Sequence, residues 1–164
     1  MNLRTPKKYR HDWAFMETRI IAPNDEHGPM MKRHRLIRVP WFGIFIHEIF
    51  RPDVDRDVHD HPWAFWSLVL KGQYKEEVIH IRCTNGLETK VHRRFSLHKM
   101  PLHKAHYISD ILGPLVTLVV VGRRQKESWG FYSSQPDEGF IHWRDYISKE
   151  GKLGPDPFDA DLPF

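Results

Sequence analysis

Asp57-Val58-His59-Asp60-His61-Pro62-Trp63-Ala64-Phe65-Trp66-Ser67-Leu68-Val69-Leu70-Lys71-Gly72 is the stretch on which the fold is decided. Two histidines, His59 and His61, stand one residue apart before an aromatic and aliphatic run that closes at Lys71-Gly72. Side chains alternate along a β-strand, so residues two apart project to one side. Both imidazoles would then face whatever the strand encloses, with Asp57 beside them if the strand starts early enough. Two imidazoles on one wall are half of a site for zinc, iron, nickel or copper. The pair alone does not decide this. With 12 His in 164 residues, about one H-x-H is expected by chance, and two histidines on an exposed or half-buried strand would read the same.

The surrounding chain predicts an all-β protein. Its length suits one domain with a sizeable core, and 10 Phe, 6 Trp and 5 Tyr are available to fill it. Glycine and proline are scattered, as between short strands. Trp41 to Phe50 reads as a strand covered on both sides, with Trp41, Phe45 and His47 on one face. Phe65 to Leu70 reads as another, reversing at Lys71-Gly72 into Gln73 to Cys83, where Tyr74, Glu76, Val78 and His80 alternate against Lys75, Glu77, Ile79 and Ile81. Thr84-Asn85-Gly86 signals a hairpin turn, and Leu87 to Leu97 returns. Pro101 precedes a strand that opens at His106. Gly113-Pro114 reads as a turn before Leu115 to Val121, the most hydrophobic strand. Trp129 to Tyr132 is a last short strand, and Phe140 to Ile147 a strand or one helical turn. Residues 1–16 read as irregular, anchored by Trp13 and Phe15. Residues 148–164 read as an extended tail, so the core spans about 36–147 of a single domain. Eight to ten short strands without a long helix indicate a sandwich or barrel.

Composition narrows the function classes. Net charge is +4 with acidic residues interspersed, which fits solubility or an anionic ligand and argues against nucleic acid. The densest basic run, Lys32-Arg33-His34-Arg35 with Arg38, reads as a solvated loop. No apolar run approaches the ~20 residues of a membrane span, and the basic N-terminus leads into no apolar signal core. The lone Cys83 has no disulfide partner in the chain. The expectation is a cytoplasmic protein.

The pattern resembles the cupin superfamily, whose first motif is G-x5-H-x-H-x3–4-E-x6-G and whose second is G-x5-P-x-G-x2-H-x3-N. His59, His61 and Gly72 fall where the first motif places its histidines and closing glycine, and Pro101 and His106 keep the P-x4-H spacing of the second. The resemblance covers Trp41 to Val121, and H-D-H-P-W is also similar to small cupin-domain proteins of bacteria and phages. It implies a double-stranded β-helix, a jelly-roll barrel. Two positions depart from the motifs: Phe65 or Trp66 stands where the glutamate belongs, and His103 stands at the second motif's glycine.

The resemblance implies a divalent transition metal (iron, zinc, nickel or manganese) on His59, His61 and His106. Cupin-type thiol dioxygenases hold iron on a similar three-histidine set and use a tyrosine near the metal, sometimes with a cysteine. Tyr74, Tyr107 and Cys83 are the candidates here. Glu76 would replace the missing glutamate if its strand turns inward. His103 is a candidate fourth ligand, base or rim residue, and Asp57 a candidate support for a ligand imidazole. Arg51 or Arg94 would hold an anionic substrate. Trp63, Phe65 and Trp66 would line a dry pocket. The expected function is a small-molecule enzyme of dioxygenase or isomerase type. The alternatives are a non-catalytic cupin that binds or senses a small ligand, and a metal-free epimerase-like cupin with a histidine base. A homodimer is compatible with the resemblance.

Overall fold

A computed structural model describes residues 13–21, 28–53, 57–81, 86–126, 128–133, 139–143 and 145–146. Cys83, the Thr84-Asn85 turn and the 148–164 tail lie outside these residues. Among the described residues there are ten strands: β1 (Ala14–Ile21), β2 (Met31–Arg38), β3 (Gly43–Ile49), β4 (Val58–His59), β5 (Phe65–His80), β6 (Glu88–His92), β7 (Leu97–Met100), β8 (Lys104–Val121), β9 (Gly130–Tyr132) and β10 (Phe140–His142). The chain then enters a helical turn at 143.

The architecture follows from β5 and β8, which are 16 and 18 residues long and pair antiparallel from Phe65↔Val121 to His80↔Lys104. The C-terminal half of β8 also pairs with β3, which continues through β2 to β1. Its N-terminal half pairs with β4 through His59↔His106, and β4 continues through β9 to β10. The N-terminal half of β5 carries β7 and its C-terminal half carries β6. Each long strand thus belongs to one sheet at one end and to the facing sheet at the other, and the whole is a double-stranded β-helix of jelly-roll type.

The bends fall at Gly72 and Gly113, both at positive φ (79° and 73°), and the ladder loses register on both sides of Lys71. This corrects the expected turns at Lys71-Gly72 and Gly113-Pro114. A glycine at positive φ inside a strand makes a bulge that redirects the ribbon without reversing it. Gln73 onward therefore continues β5 and does not fold back on it. A further correction concerns Leu87 to Leu97, where the return breaks into β6 and β7 at a turn closed by Ser96 N–H to Arg93 C=O, 2.9 Å.

The basic run is strand β2 and not a loop. Arg33, Arg35 and Arg38 are buried while Lys32 and His34 lie on the other face. Arg35 bonds Glu17 of β1, and Arg38 lies 4.8 Å over the Trp63 ring and donates to Gly122 C=O. Trp13 and Phe15 are not buried anchors: Phe15 is 78% exposed on the outer strand β1, which begins at Ala14, and Trp13, just before it, is 63% exposed with its ring edge-on to Trp41.

Two apolar clusters line the barrel interior. Met30, Met31, Ile49, Val69, Tyr74 and Leu115 form one; Phe45, Trp63, Val119 and Val121 form the other. A third, with Phe131 stacked on Tyr146, packs behind β4. No helix among the described residues is long and apolar enough to cross a membrane.

Candidate metal centre

His59 sits on β4, a strand of only two residues. His61 lies beyond it, so the pair is not carried by one strand as the alternation argument assumed. Pro62 explains the outcome: it has no N–H for the ladder and holds the residue before it extended. His61 therefore keeps the direction that a strand would have given it. His106, opposite His59 in the register, completes the group. The ring centroids are 5.2 Å apart for His59–His61, 5.0 Å for His59–His106 and 4.9 Å for His61–His106. One nitrogen from each lies within 4.8 Å of the others, and all three residues are buried.

Glu76 does turn inward, but onto the back of His106. It is 1% exposed, takes Nδ1 of His106 on one oxygen and sits 2.9 Å from Nε2 of His92 with the other. Burial would raise its pKa. The charge of His106 and its hydrogen bond, then His92, overcome this and hold the carboxyl well below the usual carboxylate range. An ionised carboxylate only accepts, so Nδ1 of His106 donates to it and Nε2 is left facing the cavity. That nitrogen lies 2.7 Å from Nε2 of His61. Burial, followed by the neighbouring His106, pushes the His61 pKa well below its ordinary value. A neutral imidazole is the form that ligates a cation.

The cavity beside the three rings, its open mouth included, encloses about 690 Å³. Phe45, Trp63, Phe65 and Val119 supply apolar wall, while His47, Arg51 and Tyr74 supply polar groups. His47 accepts from Arg33 Nε at 3.1 Å, and burial, then Arg33, lowers its pKa well below normal. Trp66 is not part of the wall, a correction to the expected lining. It follows the inward Phe65 by one residue and therefore points out, 46% exposed. His103 is exposed and stacks on His80, with centroids 5.3 Å apart, away from the cavity. Arg94 is exposed and donates to Leu70 C=O, so it does not approach the three rings. Asp57 meets Tyr146, its backbone N–H donating to the phenol oxygen at 3.2 Å.

Three residues escaped the sequence reading. Asp60, between the two histidines, points the other way: it is 2% exposed and accepts from Lys126 Nζ at 2.6 Å and Gly130 N–H at 2.8 Å. Its own N–H donates to Gly130 C=O. It pins the loop from which His59 and His61 project, and H-x-H alternation gave a signal for it. The others are His92 and His98. Each oxygen of Glu76 serves a different imidazole, and Glu76, His92 and His98 form a second group with ligand atoms within 4.8 Å.

No family model and no curated protein matches the chain. Solved structures do. HppE in its Fe(II) form with substrate aligns at TM-score 0.52 and 11% identity over 65% of this chain and 56% of that one. CapF with the inhibitor 3-isopropenyl-tropolone aligns at 0.52 and 12% over 68% and 32%. The DMSP lyase DddQ of Ruegeria pomeroyi aligns at 0.50 and 11% over 76% and 61%. An RmlC-like cupin of Shewanella frigidimarina aligns at 0.48 and 13% over 71% and 97%. The chain spans about half the length of HppE. What the chain shares with HppE, CapF and DddQ is the fold, an antiparallel β-barrel.

Proposed function

We propose that this chain is a metal-dependent enzyme acting on a small molecule, with His59, His61 and His106 as ligands of a divalent iron, zinc, nickel or manganese ion. One observation carries the reading: three buried imidazoles from two distant parts of the chain meet at the wall of a largely apolar cavity, and one is held in a fixed tautomer by a carboxylate. The donor set fits such an ion, since three neutral nitrogens leave coordination positions open. When bound, the ion would polarise a chelating substrate or hold dioxygen beside it. The protein's residues do the rest. Glu76 orients His106, the apolar walls exclude water, and Arg51, on the cavity wall, would meet an anionic group. Isomerase and oxygenase chemistry both fit. Names such as epoxidising or lyase enzymes belong to the structural neighbours and supply no substrate here.

The His106–Glu76 pair also favours a second reading, an epimerase-like cupin without metal in which Nε2 of His106 is the general base. Elemental analysis of protein purified without chelator or His-tag separates the two. A bound ion that is present in the unaltered protein and lost from His59→Ala, with the fold retained, supports the metal reading. Turnover of a candidate substrate by metal-free protein would overturn it. Turnover also separates an enzyme from a ligand sensor. A cytoplasmic location, on the strength of the lone Cys83, and a homodimer belong to the same reading.

A further inference from the structure

We propose that Glu76, His92 and His98 form a second site for a divalent transition ion, on the far side of Glu76 from the three-histidine cavity. Three strands converge to make it: Glu76 from β5, His92 from β6 and His98 from β7. One ligand atom from each lies within 4.8 Å of the others. The two imidazoles lie 3.8 Å apart at 30° between their planes, and His92 Nε2 is 2.9 Å from Glu76 Oε2. Tyr74 completes the wall, with its hydroxyl 3.0 Å from His98 Nε2 and its ring 4.8 Å from that of His92.

Two nitrogens and one carboxylate oxygen are donors of the borderline type that zinc, iron(II), cobalt(II) and nickel(II) accept. Charge also favours a cation, because Glu76 brings a buried negative charge among the imidazoles of His92, His98 and His106, although Lys90 and Lys104 oppose from nearby. His98 is only half buried, which gives an ion a way in that does not pass through the cavity. The two sites would share one residue. One Glu76 oxygen holds His106 and the other would hold the second ion, so filling this site draws electron density from the carboxylate that orients His106.

The test uses full-length, tag-free protein, stripped with chelator, equilibrated with zinc chloride and counted by elemental analysis. Two zinc ions per chain are expected, falling to one in His98→Asn and to one in His59→Asn. If His98→Asn binds as many ions as the unaltered protein, the proposal is overturned. If His98→Asn loses an ion and His59→Asn loses none, the second site stands and the three-histidine reading falls. Crystals of the unaltered protein grown with zinc give a check free of folding effects. An anomalous peak at the zinc edge among Glu76, His92 and His98 supports the site. Peaks confined to His59, His61 and His106 overturn it.

Discussion

Glu76 grips His106 from behind, carboxylate oxygen to Nδ1, across thirty residues of sequence and one step of the β5–β8 ladder. The imidazole is thereby fixed in both tautomer and orientation. Glu76→Gln should keep the shape and lose the charge. Supporting partners of this kind are worth about 10–100-fold in metal affinity, and that loss is expected for the ion at His59, His61 and His106, measured by competition with a chromophoric chelator. Unchanged affinity would mean that the pair serves only packing.

Asp60 carries the opposite side of the same loop. Its carboxylate joins Lys126 and the Gly130 amide in a nearly solvent-free setting. Asp60→Ala leaves that amide and most of the lysine charge without their acceptor, at a cost of about 3 kcal/mol. His59 and His61 flank the changed position, so metal affinity should drop along with the urea midpoint. A drop in stability with metal affinity intact would show that the two histidines are held by other contacts.

His103 offers the contrasting case. It is exposed and touches His80, well away from the three rings. His103→Ala should change stability by no more than ~0.5 kcal/mol and leave metal content unaltered. A lost ion would restore the histidine to the site.

The sequence spoke most clearly where local rules and geometry coincide. His59, His61 and His106 were legible because motif spacing encodes a ladder position, His59↔His106. Glu76 was legible by alternation with Tyr74 and Val78, both inward and buried. His92 was hidden in a charged run with Arg93 and Arg94, although hairpin register pairs it with Tyr74. His98 lay beyond a turn that no sequence rule placed. Buried arginines are rare, so the run at Lys32–Arg35 read as solvated. Its period of two, with Arg33 and Arg35 inward, was the signal to weigh. Glycine at positive φ is common to turns and bulges, so Gly72 and Gly113 could not be told from reversals without their partners across the ladder.

Gly72 tests the crossing of the long ribbon directly. At φ 79°, a Cβ there would lie 2.6 Å from the Pro114 carbonyl oxygen. Left-handed backbone costs a non-glycine residue about 1–2 kcal/mol, and the clash with backbone adds to it because Pro114 cannot yield as a flexible side chain would. Gly72→Ala should lower stability by about 3 kcal/mol in urea unfolding. A loss under ~0.5 kcal/mol would show that the bend relaxes freely.

Acid should destabilise the chelator-stripped protein, and the window follows from its buried imidazoles. Burial lowers the pKa of His47 and His61 well below 6.5, and burial followed by the charge of His92 lowers His98 to about 4. A histidine depressed in the fold takes up its proton in the unfolded chain first. Its contribution is therefore complete above pH 6.5 and is lost as the pH falls toward the folded value, near 4 for His98. The slope is at most ~1.4 kcal/mol per pH unit for each group. Glu76, lowered as a carboxylate, extends the loss below pH 4.5. Urea midpoints taken at pH 7.5, 6 and 5 should fall in that order, with a shallower slope in His98→Asn. Midpoints that hold steady or rise on acidification would mean that these imidazoles take up protons at least as readily in the fold as in the unfolded chain, and that burial does not depress them.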